Sequence, residues 1–205
     1  MNETSDTAAA PIDNRVFVLI LQHPQERRNT LATAELLVAL LRHARLATGL
    51  SWPNLSQALG RRAEPGKWAV LYLGAARPAA LGAAHEIVAL DRHGAKMAEG
   101  PAALAGITGI VLLDGSWAEA KTLWWRNPWL LKLRRLVLNP AEAARYGRVR
   151  REPRREALST LEAAALVLKH LEARPEIERL LLGRLDRLIA EAPPPSRRVH
   201  RQVRR

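Results

Sequence analysis

Apolar residues recur along this chain in two rhythms. The first is the short unbroken run: Val16-Phe17-Val18-Leu19-Ile20-Leu21, then Trp68-Ala69-Val70-Leu71-Tyr72-Leu73 closed by Gly74. A weaker run follows at residues 86–90, a strong one at residues 107–113 closed by Asp114-Gly115, and a last one at residues 135–138. Runs of this length, rich in Val, Ile and Leu and ending in turn residues, predict strands. Unbroken apolar character suits strands covered on both faces, so a mainly parallel sheet is expected, with residues 135–138 at its edge. The second rhythm is helical. Ala34, Leu37, Val38 and Leu41 share one face, as do Leu161, Ala164, Ala165, Leu168 and Leu171, then Ile177, Leu180, Leu181, Leu185 and Leu188. Pro175 opens the last helix and Pro193-Pro194-Pro195 closes it. Strands alternating with helices predict an α/β fold with a helical C-terminal part.

Composition bounds what this fold can be for. The 205 residues suffice for one domain. Apolar content of 48% and charged content of 25% are ordinary for a globular core and exclude wholesale disorder. The net charge of +12 is not ordinary, and it is local. Residues 121–155 hold eleven basic side chains against Glu142 and Glu152, and residues 193–205 add five arginines and no acid. Clustering of this kind marks a face for a polyanion. The expected organisation is a flexible N-terminus at residues 1–15, a folded domain at 16–192 and a basic, disordered tail at 193–205. Absence of cysteine excludes disulfides, thiol catalysis and cysteine zinc sites. The first fourteen residues lack the basic-then-apolar pattern of a signal peptide. No run approaches the roughly 20 apolar residues of a membrane span, so a cytoplasmic protein is expected.

Candidate chemistry gathers at two helix starts. Residues 110–121 read strand, tight turn, helix, with Ser116 and Glu119 at capping-box spacing. Ser159 and Glu162, with Thr160 between, repeat the pattern. For both pairs helix capping is one reading and an anion seat at the helix N-terminus is the other. Asp114 is not needed for the cap that Ser116 provides, and it stands at the carboxyl end of a strand, where open α/β sheets place their ligand crevice. Trp117, Lys121 and Trp124 share one helical face, which predicts core packing for the tryptophans there. Trp125 and Trp129, interleaved with Arg126 and Lys132, read either as core or as stacking surfaces for unpaired bases. His23 has no second ligand at metal spacing and reads as a hydrogen-bonding loop residue, with catalysis the alternative. No Walker loop, GxGxxG or Ser-His-Asp elbow is present.

Three segments in series carry a resemblance: Leu21-Gln22-His23-Pro24-Gln25-Glu26, then Leu113-Asp114-Gly115-Ser116-Trp117-Ala118-Glu119-Ala120-Lys121, then Leu158-Ser159-Thr160-Leu161-Glu162-Ala163. With Leu71-Tyr72-Leu73-Gly74 and Tyr146-Gly147-Arg148-Val149-Arg150 between them, the chain resembles the DTW-domain family of tRNA-uridine aminocarboxypropyltransferases over about residues 16–182. It departs from that pattern in three ways. Ser116 stands where the family motif has Thr, which keeps the hydroxyl. The N-terminal zinc cysteines of many relatives are missing, so the chain looks like a minimal form. The longer Thr-Asn-Thr stretch around Asn29-Thr30 is also missing.

The resemblance implies a SPOUT-like, trefoil-knotted α/β fold. It implies transfer of the 3-amino-3-carboxypropyl group of S-adenosyl-L-methionine to N3 of a tRNA uridine, without a metal. It assigns Asp114 as the catalytic base, or as the carboxylate facing the cofactor's ammonium or sulfonium. It assigns Leu73, Gly74, Leu113, Ser116, Trp117, Ser159 and Thr160 to the cofactor. His23, Arg28, Lys121, Arg126, Arg148, Arg150, Arg151, Arg154 and Arg155 are assigned to tRNA. A SPOUT-like methyltransferase and a non-catalytic RNA-binding protein are the competing readings, and the oligomeric state stays open.

Overall fold

The structure, a computed structural model, describes residues 10–26, 32–71, 86–91, 95, 104–138 and 158–191. Six strands form one sheet: β1 (Phe17–Gln22), β2 (Ala44–Thr48), β3 (Trp68–Leu71), β4 (Ile87–Leu90), β5 (Gly109–Asp114) and β6 (Arg134–Leu138), in the order β2-β1-β5-β3-β6-β4. Every neighbouring pair is parallel except β4 with β6, which is antiparallel. The expected mainly parallel α/β sheet is therefore present, with one correction. β6 is not an edge strand, because β4 pairs along its outer side from Ile87↔Leu138 to Leu90↔Arg135.

Period-two alternation in the central strands sorts the core into two layers. Val18, Ile20, Ala69, Ile110 and Leu112 face one side, where they meet Leu37 of α1 (Thr33–Leu40), Leu161 and Leu168 of α4 (Thr160–Glu172), and Ile177, Leu181 and Leu185 of α5 (Pro175–Glu191). Leu19, Leu21, Trp68, Val70 and Val111 face the other side. They meet Leu55 and Leu59 of α2 (Leu55–Leu59), Leu123 of α3 (Trp117–Arg126), and Trp129 and Leu130 of the 3-10 turn Pro128–Lys132. Each fully buried Leu or Ile contributes on the order of 1.5–3 kcal/mol, so both faces of the sheet are firmly held. Close packing also explains Gly109. A Cβ there would lie 2.6 Å from the ring of Trp68, its register partner on β3.

The N-terminal end of the described chain is tied to this frame. Ile12 bridges Leu41, and the buried Asn14 bonds the backbone of Val16 and His43. Glu172, at the end of α4, accepts the backbone N–H groups of Arg15 (2.7 Å) and Val16 (2.8 Å), fixing where β1 starts. The 193–205 tail lies outside the described residues. The trefoil knot implied by the resemblance is not shown by the described residues. No helix among the described residues is long and apolar enough to cross a membrane.

Candidate active site at the carboxyl ends of β1 and β5

β1 and β5 are adjacent and in register to their last residues, Gln22 and Asp114, so two polar side chains finish side by side where two apolar strands end. Both are buried. The Gln22 amide is used completely. Its Oε1 accepts the Thr48 hydroxyl (3.1 Å), and its Nε2 donates to Asp114 Oδ2 (3.1 Å) and to Glu35 Oε1 (3.2 Å). An amide nitrogen has two protons, and here they go to two carboxylates.

The other oxygen of Asp114 is held by the start of α4. Thr160, the first residue of α4, donates its hydroxyl to Asp114 Oδ1 in a short contact. Ser159 places that residue. Its Oγ accepts the Glu162 N–H (3.2 Å), while Glu162 Oε2 takes both the Ser159 N–H and hydroxyl (2.8 Å each), so the capping reading of this pair holds. The same is true at α3, where Ser116 donates its N–H to Glu119 Oε2 (2.6 Å) and caps the Glu119 N–H. The Asp-Gly-Ser turn needs its glycine. Gly115 has φ +154°, and a Cβ would stand 2.9 Å from the Cβ of Glu119.

Burial raises the pKa of Asp114 above the ordinary carboxylate range, and the negative charges of Glu26 and Glu35 push the same way. The bonds from Thr160 and Gln22 offset only part of this. The result is a desolvated carboxylate, more basic than usual, held at both oxygens and surrounded by further acidic groups.

Around this centre the predicted site residues fall into place unevenly. The backbone N–H of His23 donates to the Asp114 carbonyl (2.9 Å), and its side chain is enclosed. His23 Nδ1 meets the Gln25 N–H at 3.3 Å and Glu119 Oε1 at 3.5 Å, two contacts that belong to opposite tautomers. Leu113 is half-buried on β5, and Lys121 and Arg126 are exposed on α3. Trp117 is 43% exposed at the start of α3, which corrects the expectation that it packs in the core, whereas Trp124 does pack against the second core layer. Trp129 is 6% exposed and its Nε1 donates to the Trp52 carbonyl (3.0 Å), which rules it out as a stacking surface. Trp125 is 78% exposed. Leu73, Gly74, Arg28, Arg148, Arg150, Arg151, Arg154 and Arg155 lie outside the described residues.

Sequence reasoning missed Gln22, Glu35 and Thr48. A usable signal existed for Gln22, since a polar residue ends its apolar run just as Asp114 ends another. Among the described residues no group of three His, Asp or Glu side chains is arranged to hold a metal ion.

The family described as the DTW domain matches residues 5–192. The chain belongs to the DTW-domain family. Curated relatives of this DTW domain carry the name tRNA-uridine aminocarboxypropyltransferase 2. One from Macaca fascicularis is 27% identical over 187 residues, covering 88% of this chain and 56% of that protein. One from Drosophila melanogaster is 39% identical over 84 residues, 41% of this chain and 33% of that protein. One from Mus musculus is 34% identical over 79 residues, 38% of this chain and 26% of that protein. The chain thus spans about half the length of these relatives or less. No solved structure matches it.

Proposed function

We propose that this DTW domain transfers the 3-amino-3-carboxypropyl group of S-adenosylmethionine to N3 of a uridine in tRNA, releasing methylthioadenosine. Relatives that bear the matching name support the reaction class. The observation that carries the reading within this chain is the buried Asp114 carboxylate, clasped by Gln22 and Thr160 at the carboxyl end of β5. The donor set fits the cofactor: a sulfonium and an ammonium are cations, and Asp114, Glu26 and Glu35 lie near enough for their charges to act on one another. When bound, S-adenosylmethionine supplies the carbon that N3 attacks and methylthioadenosine as the leaving group.

The residues then have distinct tasks. Uridine N3 becomes nucleophilic only as its proton leaves, and Asp114 is the base that takes it. A carboxylate more basic than usual is better suited to this, and a positioned base of this kind is worth on the order of 10²–10⁴ in rate. Gln22 and Thr160 fix the two oxygens, so the base is aimed before substrate arrives. The N-terminal turns of α3 and α4 suit the cofactor's carboxylate, each helix contributing its partial positive charge. Choice of the propyl carbon over the methyl on the same sulfur is a matter of orientation alone. Lys121 and Arg126, with Arg28, Arg148, Arg150, Arg151, Arg154 and Arg155, provide cations for tRNA phosphates.

The test is to incubate the full chain with S-adenosylmethionine and unmodified tRNA, then identify the by-product and the nucleosides by mass. Methylthioadenosine with an aminocarboxypropylated uridine is expected. S-adenosylhomocysteine with a methylated nucleoside would replace this reading with a methyltransferase, and RNA binding without any product would replace it with a non-catalytic binder.

A further inference from the structure

Helix α3 carries a feature that the chemistry at Asp114 does not use. Trp117, Lys121 and Trp125 are spaced four residues apart, which stacks them along one side of the helix. That side faces away from the core, which takes Ala120 and Leu123 instead. Trp117 and Trp125 are both exposed large apolar side chains, and Lys121 is exposed between them. The electrostatics are one-sided. Lys121, Arg126 and Lys132 are exposed on α3 and the turn after it, while Glu119, the one carboxylate of α3, is turned back onto Ser116 and toward His23. A ridge of two indoles and cations fits a chain of unpaired bases joined by phosphates. It fits a second copy of this chain poorly, since each copy carries +12.

We propose that the outer face of α3 is a stacking rail for unpaired nucleotides flanking the target uridine, with bases on Trp117 and Trp125 and a phosphate on Lys121. The RNA identity of this ligand rests on the transfer reading above. The rail begins three residues after Asp114 and runs outward by about 12 Å of helical rise. A stacked strand advances about 3.4 Å per nucleotide, so the two rings stand roughly three to four nucleotides apart.

Two measurements test the rail separately from catalysis. The affinity of the full chain for a short unstructured oligouridylate, read by fluorescence anisotropy, should fall about tenfold in Trp125→Ala and recover most of its value in Trp125→Phe. Lys121→Ala should reduce the salt slope of the same binding by about one. In turnover assays Trp125→Ala should raise the KM for tRNA far more than it lowers kcat. Equal oligouridylate binding by wild type and Trp125→Ala would overturn the rail. So would a Trp125-dependent dimer in sedimentation, which would assign the face to a second copy. If Trp125→Ala loses oligouridylate binding while wild type yields no methylthioadenosine, the rail stands and the transfer reading falls. If binding is unchanged while methylthioadenosine is released normally, the rail falls alone.

Discussion

Replacing Thr160 by Val isolates the contact that joins the two halves of the site. Val keeps the β-branched shape at the first position of α4 and leaves the Ser159–Glu162 cap intact, so the hydroxyl bonded to Asp114 Oδ1 is the main loss. A hydrogen bond to a charged group is worth about 1.5–3 kcal/mol, and Asp114 is buried, so water does not readily replace it. For a domain of about 200 residues each kcal/mol moves Tm by roughly 2–4 °C, which predicts a fall of about 3–12 °C at neutral pH. The pH dependence has a definite sign. Thr160 donates to the ionised carboxylate and so lowers the Asp114 pKa within a balance that burial otherwise tips upward. Its contribution is therefore present while Asp114 is ionised in the fold, and is lost as pH falls through the folded pKa. Urea denaturation of wild type and Thr160→Val across that range should show a gap that is widest near neutrality and narrows in acid. The acid limb of the kcat/KM profile should lie above the ordinary carboxylate value in wild type and move higher still in the variant. A stability gap below about 0.5 kcal/mol at neutral pH, or one indifferent to acid, would refute the contact.

Three further outcomes follow from the frame. Asn127 is fully buried, accepts the N–H of Trp52 (2.9 Å) and of the Trp129 ring (3.2 Å), and donates to the carbonyls of Leu50 (3.1 Å) and Leu123 (2.7 Å). Asn127→Ala should cost about 3 kcal/mol by chemical denaturation through the polar groups it orphans. Gly109→Ala drives a methyl into the Trp68 ring and should cost about 1–3 kcal/mol with a visible change in near-ultraviolet dichroism from the indole. Burial would raise the pKa of Glu86, but the bonds from Lys169 (2.8 Å) and His170 (2.8 Å) outweigh it and hold the carboxyl below its ordinary range. Stability from this group is therefore present above its unfolded pKa and lost as pH falls through the folded one. Glu86→Gln should cost about 0.5–1 kcal/mol at neutral pH, discounted for partial exposure, with the difference closing in acid.

What could be read from the chain alone followed from how strongly each segment declares its surroundings. β1 and β5 are legible because both faces are buried, so the positions before the terminal Gln22 and Asp114 are apolar or glycine. The Ser116 and Ser159 caps are legible because a capping box is local chemistry that tertiary contacts rarely override. β2 escaped notice because it is an edge strand, Ala-Arg-Leu-Ala-Thr, with polar groups on its solvent side and Arg45 reaching across to the Leu59 carbonyl. α2 was missed because five residues complete little more than one turn, leaving only Asn54 at its start and Gly60 with φ +72° at its end as signals. β6 was misplaced because strand order is a long-range property that no run of residues encodes. Trp129 and Trp125 show the same limit in the core. They are four residues apart with similar neighbours, yet helix α3 ends between them and the following turn folds one indole inward. Asp114 was found from position, whereas Glu35 became visible only when α1 was seen beside the ends of β1 and β5.

Methylthioadenosine release in a single turnover, compared between wild type and Asp114→Asn with S-adenosylmethionine and tRNA both saturating, tests the role of Asp114 most directly. Wild type should release it, and the variant, which keeps the shape but cannot take the N3 proton, should be slower by about 10² or more. Release by Asp114→Asn within a few-fold of wild type would contradict the claim that this buried carboxylate is the base.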